Sequence, residues 1–147
     1  MKFHHYGLLT NNLHKSILLL KNRAYDKISE VISCKYQNVN LIFLKKPNSN
    51  YFIELVDCTK NDQLKKFFKK KIKNKKNKLY LKYHRCFYVK NFNSTFNKLQ
   101  KDSNYKPLQN KNESTVFKKI VFFKRKNSDI LIELASNVNK KYKYLIY

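Results

Sequence analysis

The feature that most constrains the fold of this chain is a repeat: His5 and Glu54 recur as His84 and Glu133 at one offset, since 84 minus 5 and 133 minus 54 both give 79. The text around the glutamates repeats as well. Leu41-Ile-Phe-Leu-Lys-Lys-Pro-Asn-Ser-Asn-Tyr-Phe-Ile-Glu-Leu55 lies over Ile120-Val-Phe-Phe-Lys-Arg-Lys-Asn-Ser-Asp-Ile-Leu-Ile-Glu-Leu134 without a gap. A chain built this way folds as two copies of one module, each bringing the same ionisable pair to an equivalent place.

The module can be read from periodicity. Each half opens on an alternating apolar run, which places Phe3, His5, Gly7 and Leu9 on one strand face and His4, Tyr6 and Leu8 on the other. In the second half His84, Cys86 and Tyr88 share a face. Asparagine-rich segments, Thr10-Asn11-Asn12 and Asn91-Phe92-Asn93-Ser94, then offer helix caps. Helices are predicted over 13–22 and 94–101, with Leu13, Ile17 and Leu20, then Phe92, Phe96 and Leu99, at helical spacing. Two β-rich runs follow in each half, 39–44 with 51–57 and 116–123 with 130–135, joined by Asn- and Ser-rich turns at 45–50 and 124–129. Segments 29–35 and 105–109 supply an edge strand each. The expectation is an α+β domain over 1–147, made of two tandem βαβββ modules at about 3–60 and 82–137. A basic linker at 61–81, helical over 62–72, joins them, and the sheets can close around one central cleft.

The bulk numbers set limits on function. With 42% apolar and 15% aromatic residues the chain can bury a core. No run approaches the roughly 20 apolar residues of a membrane helix, and no leader pattern opens the sequence, so no membrane partner and a cytoplasmic location are expected. Cys34, Cys58 and Cys86 are odd in number and lack CxxC spacing, which fits reduced, buried thiols. The net charge of +24 is spread along the chain together with abundant Asn, Ile, Tyr and Phe, the joint bias of an AT-rich genome. The concentrated block at 65–82, including Lys69-Lys70-Lys71, Lys73, Lys75, Lys76 and Lys78, reads as a solvated helix end and linker. A nucleic-acid partner is therefore not expected; it would draw on Phe67, Phe68 and Tyr80 between those lysines. One glycine and two prolines leave no phosphate-cradling loop.

The single glycine, Gly7, lies two residues after His5 on the same face, where a missing side chain leaves room in the cleft. If the first and last strands of each module lie side by side, His5, Glu54, His84 and Glu133 converge. Two imidazoles and two carboxylates suit Mn²⁺, Co²⁺, Ni²⁺, Fe²⁺ or Zn²⁺ with positions left open. Phe52, Glu54 and Val56 share a face, as do Leu131, Glu133 and Ala135, and a carboxylate on an apolar face needs a partner. His4 has the opposite phase and lacks a partner at the matching offset, where Tyr83 stands. His14 falls on the solvent side of the first helix.

These residues resemble the vicinal oxygen chelate superfamily, the glyoxalase and bleomycin-resistance fold, over Phe3 to Ser136. Within it, His5-Tyr-Gly-Leu, Tyr36-Gln-Asn-Val-Asn-Leu-Ile-Phe-Leu, Phe52-Ile-Glu-Leu-Val, Tyr83-His-Arg-Cys-Phe-Tyr-Val and Leu131-Ile-Glu-Leu look most like the methylmalonyl-CoA epimerase-like branch, beside the lactoylglutathione lyase-like one. The resemblance implies a glyoxalase-like half-barrel in which His5, Glu54, His84 and Glu133 hold a divalent metal. It implies an isomerase, epimerase or lyase that removes a proton next to a carbonyl, with Glu133 first and Glu54 second as catalytic carboxylates. Phe43, Phe52, Phe87, Tyr88 and Phe122 would wall the site. A CoA or acyl-carrier-protein thioester is the implied small-molecule partner, and a homodimer is a further one. Glyoxalase-type isomerisation and a non-catalytic binding protein, of small molecules or nucleic acid, are the alternatives. The chain departs from the family at its glycines, replaced by Asn38, by Lys76-Asn-Lys-Leu-Tyr-Leu and within Lys126-Asn-Ser-Asp, and strand 39–44 offers no second carboxylate.

Overall fold

Alternating apolar residues draw most of the chain into strands, and a computed structural model describes how they assemble for residues 1–75 and 77–146. Lys76, counted above in the basic block, lies outside the described residues. The first half runs β1 (Lys2–Thr10), α1 (Leu13–Lys21), β2 (Asp26–Lys27), β3 (Ile32–Cys34), β4 (Val39–Lys45) and β5 (Phe52–Asp57). Helix α2 (Asp62–Ile72) connects it to β6 (Tyr80–Tyr88), α3 (Phe92–Lys101), β7 (Tyr105–Pro107), β8 (Phe117–Arg125) and β9 (Leu131–Val138), and a 3₁₀ turn at Lys140–Leu145 follows. Each half is thus βαβββ, the first with its edge strand broken into β2 and β3, both paired to β4. Helix α3 begins two residues before the predicted start because Asn91, not Asn93, takes the cap position.

The strands form one curved, unclosed sheet in the order β2-β4-β5-β1-β6-β9-β8-β7. Antiparallel β1 and β6 lie at its centre, and each has the last strand of its own half beside it in parallel, β5 next to β1 and β9 next to β6. The registers repeat as the sequence does: Gly7 pairs Glu54 as Cys86 pairs Glu133, and Phe43 pairs Glu54 as Phe122 pairs Glu133. On the outer face α1 lays Leu13, Ile17 and Leu20 on Ile42, Leu44, Ile53 and Leu55. Helix α3 lays Phe92, Phe96 and Leu99 on Val121, Phe123 and Leu134. Fully burying such side chains is worth about 1.5–3 kcal/mol each, so both helices are pinned by packing.

The inner face is lined by Leu9, Leu41, Phe43, Phe52, Val56, Cys86, Ile120, Phe122 and Ala135, and Phe68 of α2 and Leu145 of the terminal turn pack against it. Helix α2 is therefore more than a linker. Its lysines face solvent while Phe68, 1% exposed, is part of the core and Phe67 lies 5.9 Å from Tyr83. The aromatics that a stacked nucleic acid would need are largely spent on packing. All three cysteines are buried and free. Among the described residues, no helix is long and apolar enough to cross a membrane.

A nearly glycine-free chain must still turn. Asn38, Asn48, Asn77 and Asn127 have φ of 50°, 61°, 65° and 59°, the left-handed region that asparagine enters at least cost after glycine. Asn48 and Asn127 sit at equivalent places in the two hairpins, and Asn38, Asn77 and Asn127 lie within the segments where the resembling family carries glycine.

Candidate metal centre

Two β-bulges shape the centre. Along β1 and β6 the pairing steps from Phe3·Phe87 to His5·Cys86, so His4 is an extra residue on β1, and from Gly7·His84 to Leu8·Lys82, so Tyr83 is an extra residue on β6. His4 and Tyr83 are equivalent positions of the repeat. A bulge breaks alternation locally, which turns two consecutive side chains to one face. His4 consequently lies beside His5 on the inner side, against Phe43, Phe52 and Phe117, and is 1% exposed. Phe3 is displaced to the outer side, against Tyr6, Tyr51 and Phe87. The expected phases of Phe3 and His4 are corrected accordingly, while those of His5, Gly7 and Leu9 hold. Phe87 is also corrected: it belongs to the outer cluster under α3. Phe43, Phe52 and Phe122 line the inner face, with Tyr88 half-buried against it. His14 is exposed on α1.

His5, Glu54, His84 and Glu133 do converge, all four buried. The Nε2 atoms of His5 and His84 are 3.0 Å apart. Glu54 Oε2 is 3.4 Å from His5 Nε2 and 3.2 Å from His84 Nε2, and Glu133 Oε2 is 3.4 Å and 3.0 Å from the same atoms. Hydrogen bonding cannot account for this set. Each Nε2 carries at most one proton, so two protons would have to serve five close contacts. Glu133 Oε2 is in fact without a well-formed hydrogen bond. Ligand atoms at about 2.0–2.2 Å from one ion lie about 3 Å apart at right angles and about 3.4 Å apart at tetrahedral angles. The donor set and its spacing fit a divalent cation.

Gly7 makes the arrangement possible. A Cβ built on Gly7 would overlap the His84 imidazole, meeting Cε1, Nδ1 and Nε2. The room that the sequence placed beside His5 is the seat of the His84 ring. At the equivalent place on β6 stands Cys86, a small side chain beside the His5 position in the sheet.

Without a metal the cluster is a charge network. Burial alone would push the His84 imidazole down, but the hydrogen bond and charge of Glu133, then of Glu54, lift it to about 9. His5 is raised too, against its own burial, chiefly by the charge of Glu54 and the Glu133 contact. Burial pushes Glu54 and Glu133 up, and the two imidazoles more than reverse it, so both carboxyls lie below their ordinary value. His4 behaves oppositely: burial and then the charge of His5 lower it to about 4. A second group of donor atoms, from His4, His5 and Cys86, also clusters. Both nitrogens of His4 are engaged in hydrogen bonds, and burial holds the Cys86 thiol well above its usual range, so this group stays protonated and occupied.

A cavity of about 380 Å³ opens onto the centre, lined by Glu54, His84 and Glu133 at its base, apolar walls such as Leu41, Ile120 and Phe122, and amides such as Gln37 and Asn61. Among the described residues, no lysine or arginine lines it, despite their abundance elsewhere. Tyr83 also lines it, its hydroxyl pushed up to about 12 by burial and then by the two carboxylates.

No protein-family profile and no curated protein sequence matches the chain. Solved structures do. Methylmalonyl-CoA epimerase from Mycobacterium tuberculosis superimposes with a TM-score of 0.72 at 18% identity, over 95% of this chain and 90% of its own. A hypothetical protein from Bacillus halodurans C-125 gives 0.76 at 13%, over 95% and 96%. A Streptomyces coelicolor methylmalonyl-CoA epimerase variant, in complex with 2-nitronate-propionyl-CoA, gives 0.73 at 14%, over 93% and 97%. At these identities the likeness establishes the fold: the chain has the glyoxalase-like architecture of those epimerases.

Proposed function

We propose that this chain is a metal-dependent enzyme that removes a proton next to the carbonyl of an acyl thioester, in the manner of a methylmalonyl-CoA epimerase or a related isomerase or lyase. The observation that carries the reading is the convergence of two buried His/Glu pairs on one point at the base of a cavity. The fold likeness supports the substrate class, since one matching epimerase is in complex with methylmalonyl-CoA and another with a propionyl-CoA analogue.

His5, Glu54, His84 and Glu133 would hold the ion. When bound, it would supply positive charge and Lewis acidity beside the substrate's carbonyl. Glu133 is assigned the proton transfer: it lines the cavity, and its Oε2 is buried without a well-formed hydrogen bond among the described residues. Glu54, the equivalent group on β5, is the second carboxylate at the cavity base. The apolar walls exclude water and so strengthen every charge interaction at the base. Where β4 pairs with Glu54 it presents Phe43, so no further carboxylate approaches from that strand. Removal and return of the proton by Glu133 alone would exchange it without inverting the carbon, so epimerisation would require Glu54 to act on the opposite face. The basic exterior would favour a CoA phosphate or an acidic carrier protein.

Tag-free protein is expected to retain one equivalent of a divalent transition metal by elemental analysis, and His84→Ala to lose it. Metal-loaded protein should exchange the α-proton of a branched acyl-CoA into D₂O. Glu133→Gln keeps an oxygen donor but not the carboxylate, so it should bind the metal more weakly and, at saturating metal, lose the exchange. Metal retention without exchange of any acyl-CoA or carrier thioester would remove the thioester reading, and turnover of methylglyoxal with a thiol would put a glyoxalase reaction in its place.

A further inference from the structure

We infer that His4 is a positioning residue whose imidazole fixes His5 as its Nδ1–H tautomer, leaving the Nε2 lone pair of His5 bare and aimed into the four-residue cluster. The inference rests on the metal-binding reading proposed above and adds to it a residue outside the donor set.

The hydrogen-bonded chain starts at the backbone. His4 Nε2 lies 2.7 Å from the carbonyl oxygen of Leu145, an acceptor that has no proton to give, so His4 Nε2 must donate. His4 Nδ1 lies 2.8 Å from His5 Nδ1, and one of those two nitrogens carries the proton between them. A His5 that offers Nε2 to a cation holds its only proton on Nδ1. His4 Nδ1 is then the acceptor, and the direction of the whole chain is set: His5 Nδ1–H to His4, His4 Nε2–H to Leu145 O. The neutral state of His4 that this needs agrees with its burial among Phe43, Phe52 and Phe117. Neighbours beyond the cluster orient metal-bound histidines in this way and raise their basicity.

Two further features give the chain its specificity. The bulge is what turns His4 to the inner side, because a regular strand would place it opposite His5. The acceptor is held by the terminal 3₁₀ turn, whose Tyr142 and Leu145 are buried at 7% and 0% exposure in the inner core. The second half of the repeat lacks the device. Tyr83, the equivalent bulge residue, meets His84 ring to ring at 5.4 Å, and His84 Nδ1 has no hydrogen-bond partner among the described residues. One histidine of the pair is locked and the other is not.

The test compares the full-length wild type with His4→Phe, which fills the space without accepting a hydrogen bond, and His4→Gln, whose amide can accept from His5 and donate to Leu145. Co²⁺ affinity by chelator competition should fall about 10- to 100-fold in His4→Phe, the usual cost of losing such a partner, and return to within a few-fold in His4→Gln. The Co²⁺ visible spectrum should change in the Phe variant only. Imidazole ¹⁵N NMR of Zn²⁺-loaded wild type should show His4 with its proton on Nε2 and His5 with its proton on Nδ1. Wild-type affinity in His4→Phe, equal weakness of both variants, or a proton on His4 Nδ1 would each overturn the inference. Failure of the wild type to take up any metal would instead overturn the metal reading. In that case the ¹⁵N pattern of the metal-free protein still decides the direction of the chain.

Discussion

Gly7→Ala is expected to fold and to lose the metal. The added methyl overlaps the imidazole of His84, and the overlap is with the end of a side chain, so the ring can swing away while the sheet keeps its register. Swinging it away carries Nε2 out of a cluster whose atoms are 3.0–3.4 Å apart. Loss of one donor from such a set should exceed the 10- to 100-fold typical of losing an outer partner, so a fall of about a hundredfold or more in Co²⁺ or Zn²⁺ affinity is expected. Cys86→Ala is the control: it trims the equivalent position on β6 without obstructing a ring and should change affinity only a few-fold. Chelator-competition titration together with thermal unfolding distinguishes the outcomes. A Gly7→Ala protein with wild-type affinity would show that the His84 ring does not depend on the space at Gly7. Unfolding of the variant would show instead that the strand, and not the side chain, yields.

The same residue marks what the sequence could and could not disclose. The repeat was legible because both halves had to keep the same two chemistries at the same spacing, and His5, Glu54, His84 and Glu133 follow from it directly. The strands were legible because an apolar inner face imposes alternation on β4, β5, β8 and β9. Alternation also has a blind spot. It assumes an even pleat, and an extra residue in a strand leaves no periodic trace, so the bulges at His4 and Tyr83 were hidden and His4 was placed on the wrong face. Phe3 faces outward beside Phe87 for that reason, while Phe87 itself does so by plain alternation with Cys86 and Tyr88. The terminal 3₁₀ turn was missed as well. Tyr142 and Leu145, three residues apart, are the one signal that a three-residue turn buries a face there. Helix α2 was located but read for its lysines, because its buried stripe rests on little beyond Leu64, Phe68 and Ile72. The Gly7 space was read from the sequence, but its occupant comes from the other module, and only the pairing of β1 with β6 reveals which ring it is.

Metal uptake is expected to tighten steeply as pH rises toward 9 and to level off beyond it. In the metal-free protein His84 is raised to about 9, so near neutral pH its imidazole holds a proton that a cation must displace, and His5 is shifted in the same direction by Glu54 and Glu133. Each proton released makes the apparent affinity climb about tenfold per pH unit, so the His84 proton gives about 100-fold between pH 7 and 9. Stability follows with the opposite sign. An imidazole raised from 6.5 stabilises the metal-free fold fully below 6.5, and that contribution is lost as pH passes through about 9. Glu54 and Glu133, held below 4.5, contribute above 4.5, and their share is lost in acid. The metal-free protein should therefore be most stable between about pH 4.5 and 6.5 and weaken toward pH 9, where the metal-loaded protein keeps its stability because the cation has replaced the protons. The gap in Tm between loaded and chelated protein should widen across that window. Calorimetry in buffers of different ionisation enthalpy should count about one proton or more released per metal bound at pH 7. An affinity that stays flat from pH 6.5 to 9, or a proton count near zero, would mean that the imidazoles are already bare before the metal arrives. The charge network described for the empty cluster would then be wrong, even if the four residues still hold the ion.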